Sequence, residues 1–257
     1  MNEKNASDLL FEEYLTSQGL TFEYEPPIEG STKRVDYVVN HPEHGRLYFE
    51  VKQIEVPLPK GFSQYDPYPP VRNHLRDGAK QFKGLPDTIN ALVFVAAPNS
   101  FVHLGDAVTM LGAMYGDFAF KVPIQIGETP KGPAPPITAE FLPGKGRMFP
   151  NGKPQNSRIS AVITLHRYHL ATKAAHRYLC TEDGRTREDR WKDLISDRVQ
   201  LPGDVPCVIV WENGLARRQF PRSLFRGPMD ARWSAESGEQ VLSFLGKQRV
   251  EFGLDKF

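Results

Sequence analysis

A chain of 257 residues that is 40% hydrophobic and 25% charged has the composition of a folded globular protein with a sizeable core, which excludes wholesale disorder and the fibrous classes. Its 32 Lys and Arg against 31 Asp and Glu leave a net charge of +1, so contact with nucleic acid must come from local patches, not bulk basicity. The only cysteines, Cys180 and Cys207, are too few for a disulfide framework or a four-cysteine zinc site.

The opening MNEKNASDLLFEEYL carries Glu3, Asp8, Glu12 and Glu13 where a secretory signal needs an unbroken apolar run, and no later stretch is apolar over roughly 18 residues. A soluble, cytoplasmic protein with no membrane partner is expected. Residues 5–18 read as a first helix, with Asn5 or Ser7 as cap and Leu10, Phe11, Tyr14 and Leu15 at helical spacing. Thr21 to Pro27 reads as a short edge strand, and Arg34 to Val39 and Arg46 to Ile54 as a hairpin joined by NHPEHG. Pro57 to Pro70 is a Pro-rich connection, followed by an exposed helix from Val71 to Gly84. Ala91 to Ala97, ALVFVAA, has the unbroken apolarity of a central strand covered on both faces. A helix is expected over Phe101 to Tyr115 and a strand over Phe118 to Ile126, with Pro123 near an edge. Gly127 to Ser157 lacks periodicity and reads as a long loop or insertion. Ile159–Leu165 and Pro206–Asn213 read as two further strands, separated by a helical stretch around Arg187–Ser196, and Glu236–Leu245 as a final amphipathic segment. The expected organisation is one α/β domain over 1–257, with a mixed central sheet flanked by helices, a core at about 5–97, an insertion at about 127–157 and a sheet extension at about 158–257.

Chemistry concentrates in RVDYVV, the turn and RLYFEVK. Strand alternation puts Glu50 and Lys52 on one face, about 6.5 Å apart, while Phe49 and Val51 point into the core. Asp36 lies on the neighbouring strand, where pairing brings its carboxylate beside Glu50. Adjacent carboxylates repel, and a divalent cation such as Mg²⁺ relieves the repulsion. Lys52 adds a cation able to position an attacking water or stabilise charge on a scissile phosphate. On the first helix, Glu12 or Glu13 adds a further carboxylate; spacing alone does not choose between them. The bland alternative is a solvated strand face with a cross-strand ion pair.

Asp36 followed by Glu50-Val51-Lys52 resembles the signature of the PD-(D/E)xK nuclease superfamily, and the order helix, three strands, helix, strand over Asn5 to Ala97 is similar to that family's core. Val35 stands where the family has proline. The resemblance implies a restriction-endonuclease-like core and metal-dependent hydrolysis of phosphodiester bonds, with DNA as the expected nucleic acid. It implies Mg²⁺, replaceable by Mn²⁺, held by Asp36, Glu50 and Glu12, with Lys52 aiding water attack. Gln81 resembles a glutamine that some members place near the lysine, although Leu85 stands where one subgroup has tyrosine. RNA or branched DNA is the alternative substrate, and a catalytically silent module binding nucleic acid or protein is the alternative function. A homodimer or an accessory protein is compatible with either.

Lys145, Arg147, Lys153 and Arg158, with Lys131, populate the Gly/Pro-rich segment and are candidates for tracking a phosphate backbone; Arg217, Arg218, Arg222 and Arg226, interleaved with Phe220 and Phe225, form a second basic cluster. His166, His169, His176 and Cys180 match no zinc-finger spacing, although His176 and Cys180 share a side if helical. GKGR at Gly144–Arg147 opens no helix with GK[ST] and is not a phosphate-binding Walker loop.

Overall fold

The computed structural model describes residues 4–28, 30–57, 66–98, 100, 102–121, 138–142, 145–196, 198–233 and 249–251. In chain order the elements are α1 (Ala6–Ser17), β1 (Phe22–Tyr24), β2 (Tyr37–His41), β3 (Gly45–Ile54), α2 (Tyr68–Gln81), β4 (Ile89–Ala96), α3 (Ala107–Tyr115), β5 (Asp117–Lys121), β6 (Thr138–Leu142), β7 (Ile159–Tyr168), α4 (Leu170–Leu179), α5 (Arg187–Ile195), β8 (Val205–Glu212), β9 (Ala231–Trp233) and β10 (Arg249–Glu251).

Helix α1 starts where a reciprocal cap forms: the Asn5 side chain accepts from the Ser7 and Asp8 amides, and Asp8 Oδ2 accepts from the Asn5 amide at 3.0 Å. Its buried stripe of Phe11, Tyr14 and Leu15 lies on one face of the sheet. The β2–β3 hairpin closes with His41 opposite Gly45, whose φ of +69° is a left-handed value that glycine adopts without strain. The eight-stranded sheet has the order β1-β2-β3-β4-β7-β8-β9-β10, and β5 and β6 form a separate antiparallel pair. β3, β4 and β7 run parallel, β2 is antiparallel to β1 and β3, and β8 is antiparallel to β7 but parallel to β9. The fold is thus α/β with a mixed central sheet flanked by helices.

Alternation along the strands divides the core in two. Leu92, Phe94, Val162 and Trp211 face α2 and α3, while Phe49, Val51, Val93, Ile163 and Val210 face α1 and the loop carrying Phe220, Leu224 and Phe225. β4, with Ala91 to Val95 fully or nearly buried, sits between β3 and β7, as its unbroken apolarity predicts. Among the described residues no helix is long and apolar enough to cross a membrane.

Several expectations shift. The helix expected from Phe101 begins only at Ala107, because Asp106 caps it by accepting from the Val108 and Thr109 amides. The segment Gly127 to Ser157 is not all loop: it contributes β6, and residues 145–157 dock on the end of α3, with Arg147 and Met148 amides bonded to the Ala113 and Met114 carbonyls. Gly146 permits that approach, since a Cβ there would stand 2.1 Å from the Tyr115 carbonyl carbon. A helix not foreseen, α4, precedes α5, and short β9 extends the sheet beside β8. Part of the Pro57 to Pro70 connection, Phe101, residues 122–126 of the expected strand, Lys131, and Glu236–Leu245 lie outside the described residues.

Candidate functional site

The β2–β3 ladder ends with Tyr37 opposite Phe49, and β3 continues alone on that side to Ile54. The backbone there needs another acceptor, and the residue just before β2 supplies it: Asp36 Oδ2 accepts the Val51 amide at 2.7 Å. This fixes the Asp36 carboxylate at the side of Glu50 and Lys52. Glu50 is only 2% exposed. Its Oε1 accepts from Lys52 Nζ at 2.5 Å, and its buried Oε2 has no partner among the described residues. Lys52 Nζ also lies 4.0 Å from Asp36 Oδ2, so one ammonium spans two carboxylates.

Burial and then the Asp36 charge push the Glu50 carboxyl up to about 7, against the pull of Lys52. Burial likewise raises Asp36, opposed by Lys52 and the Val51 amide. For Lys52, burial disfavours the cation, but the charge and hydrogen bond of Glu50 and the charge of Asp36 together hold its ammonium above the usual range. The arrangement is a half-sheltered nest of two carboxylates and one ammonium.

Two groups not anticipated from the sequence border it. Asp8, nearly buried in the first turn of α1, is raised chiefly by burial and feels the charges of Glu12, Lys4 and Lys52; Asp36 in turn feels Asp8. The capping pattern Asn5-x-x-Asp8 was the available signal. His74 on α2, with its ring 6.2 Å from Phe94, is lowered by burial and then by the Lys52 charge; Phe94 is the β4 partner of Lys52. A cleft of about 520 Å³ lined by Gln53, Glu55, Pro57, Ala97 and Ser100 opens just beyond Lys52 at the carboxyl ends of β3 and β4.

Of the other sequence candidates, Glu12 lies one helical turn beyond Asp8, where Oε1 accepts from the Tyr37 hydroxyl at 3.0 Å and pairs with Lys4 at 2.5 Å. Glu13 instead pairs with Arg167 at the surface. Gln81 is exposed in the last turn of α2, its carbonyl accepting from Lys33 Nζ at 3.4 Å. Arg147 and Arg158 spend guanidinium donors on the Arg72 and Leu85 carbonyls at 3.2 and 2.8 Å, while Lys145 and Lys153 are exposed. Arg217, Arg218, Arg222 and Arg226 are exposed, but Phe220 and Phe225 between them are 2% and 3% exposed and pack on Phe49, so they offer no stacking platform to bases. His169 pairs with Asp204, and Cys180 Sγ lies 3.9 Å from His176 Nε2. His166 has a buried Nε2 without a partner among the described residues, and burial holds its imidazole down to about 4.

No model of a known protein family matches the chain, and no curated protein matches it.

Proposed function

We propose that this chain is a metal-dependent nuclease of the PD-(D/E)xK, restriction-endonuclease-like kind, hydrolysing phosphodiester bonds in DNA. One observation carries the reading: a nearly buried glutamate keeps one oxygen without a partner among the described residues, beside a lysine and a second carboxylate. Buried carboxylate oxygens are normally satisfied, and a solvated strand-face ion pair would leave both oxygens in water. Oxygen donors from Asp36 and Glu50 suit Mg²⁺ or Mn²⁺, hard cations that favour carboxylate. When bound, such an ion lowers the pKa of a coordinated water and offsets charge on a phosphate.

The protein's own part is positioning. The Val51 amide orients Asp36, and the sheet holds Glu50 and Lys52 two residues apart on one face. Lys52, already raised toward its charged form, serves as the donor facing a developing phosphorane charge, in surroundings where low dielectric strengthens it. Asp8 and Glu12 supply additional negative charge from α1.

The test is cleavage of linear, circular and single-stranded DNA and of RNA by the full chain with Mg²⁺, Mn²⁺ or EDTA, beside Asp36→Ala and Lys52→Ala checked for folding by circular dichroism. Cation-dependent cutting is expected, falling by about 10²-fold or more in each variant. Wild-type cutting by Lys52→Ala removes its assigned role. A folded wild type that cuts nothing with either cation overturns the enzyme and leaves a binding module.

A further inference from the structure

The turn that joins β2 to β3 carries His41, Glu43 and His44, and one donor atom from each of the three side chains lies within 4.8 Å of the other two. Their placement follows from the hairpin. Pro42 presets the turn's backbone, and Gly45 in its left-handed conformation returns the chain opposite His41. The two imidazoles stack, with centroids 4.6 Å apart and planes 19° apart. His44 Nε2 lies 2.7 Å from Ser223 Oγ and 3.9 Å from Glu43 Oε2, and His41 Nδ1 accepts from the Glu43 amide at 3.2 Å.

We propose that His41, Glu43 and His44 form a binding site for a divalent transition cation of the Zn²⁺ class. Two imidazoles and one carboxylate match the donors that such ions prefer and Mg²⁺ does not. Around a tetrahedral Zn²⁺ the donor atoms stand about 3.3 Å apart, from bonds of about 2.0–2.1 Å, so the three groups need to close by about 1.5 Å at most. Closing that distance takes a swing of the exposed Glu43 side chain and a turn of the two imidazoles out of their stack, so that their in-plane lone pairs converge on the ion, and water completes the coordination on the open side. The bond from the Glu43 amide to His41 is surface-exposed, so water replaces it at small cost. Ser223 holds His44 Nε2, so it serves as the outer partner with His44 ligating through Nδ1. The site stands apart from Asp36 and Glu50: Gly45 and Glu50 are separated by about 17 Å along β3. It does not depend on the nuclease reading.

The experiment is calorimetric titration of Zn²⁺ into the full-length chain, with Co²⁺ visible absorption as a second readout, on wild type, Glu50→Gln, His41→Ala, His44→Ala and the double histidine variant. Binding of one ion, kept in Glu50→Gln and weakened at least about tenfold in each histidine variant, is expected, with the imidazole-type Co²⁺ band lost in the double variant. The proposal is overturned by unchanged affinity in the double variant, by loss of binding in Glu50→Gln alone, or by no binding to wild type at millimolar Zn²⁺. Cleavage with Mg²⁺ is a separate readout, so failure of one reading does not imply failure of the other.

Discussion

Replacing Glu50 by Gln is expected to raise the stability of the metal-free protein at alkaline pH. The folded carboxyl sits near 7 against an ordinary 4.5, with burial as the first cause. Because the folded value is raised, the native state holds the proton more tightly than the unfolded chain, and Glu50's contribution is fully present below about 4.5 and lost as pH rises through about 7. At about 1.4 kcal/mol per pKa unit the loss reaches about 3 kcal/mol, an upper bound because Asp36 titrates with it. Gln keeps the shape and removes the charge, and Lys52, with about a quarter of its side chain exposed and Asp36 still 4.0 Å away, is not stranded. His166 slopes the other way over an overlapping range: its folded value near 4 favours folding above 6.5 and loses that as pH falls. The informative quantity is therefore the difference between variant and wild type, from urea midpoints and slopes in EDTA. The gap should be near zero at pH 4.5 and widen to as much as about 3 kcal/mol at pH 8. A gap that stays flat or narrows would refute the reasoning. Mg²⁺ at about 100 times its Kd should then restore about 2.7 kcal/mol to wild type and none to the variant.

Gly146→Ala should cost about 1–3 kcal/mol or more, since the new methyl meets Tyr115 backbone at 2.1 Å; differential scanning calorimetry gives the size, and hydrogen exchange should show the 113–114 to 147–148 bonds loosening first. Tyr14→Phe removes the 2.6 Å bond from its hydroxyl to Asp230, a buried carboxylate that also accepts the Val208 and Gly227 amides. A loss of about 1–3 kcal/mol in urea unfolding is expected, and an unchanged midpoint would show that the two amides suffice.

How much could be read in advance depended on burial. The hairpin, β4, β7 and β8 announce themselves because their periodic or unbroken apolar residues are the ones that fill the core, as Val51, Val93 and Ile163 do. α4 carries a fainter trace: its stripe of Leu170, Ala171, Ala174, Ala175, Tyr178 and Leu179 is only half-buried and half alanine, so it stands out less than the core strands do. β9 is three residues long and owes its place to Ala231 and Arg232 pairing with β8, a tertiary matter. At the site, alternation suffices to put Glu50 beside Lys52, and the hairpin brings Asp36 near. Which acid of α1 approaches them depends on the angle at which the helix crosses the sheet, and Asp8, busy as a capping residue, is the one that feels Lys52. The fate of the phenylalanines between the arginines was equally hidden, since a loop has no period to reveal which side chains turn inward.

The ladder between β7 and β8 runs unbroken from Ala161 opposite Glu212 to Tyr168 opposite Val205. Antiparallel neighbours of this kind can be joined by two residues, yet here the chain makes an excursion over 169–204 through α4 and α5 before returning. α4 has one half-buried face and no fully buried residue, α5 buries only Arg190, and Trp191 and Ile195 stand 55% and 66% exposed. The β7–β8 ladder is complete without this arm, so changes on its exposed surface leave the register of the strands in place. β3, with Glu50 and Lys52, lies beyond β4 from the arm's root, so changes to the arm's exposed surface on one flank leave the carboxylates on the other where they are.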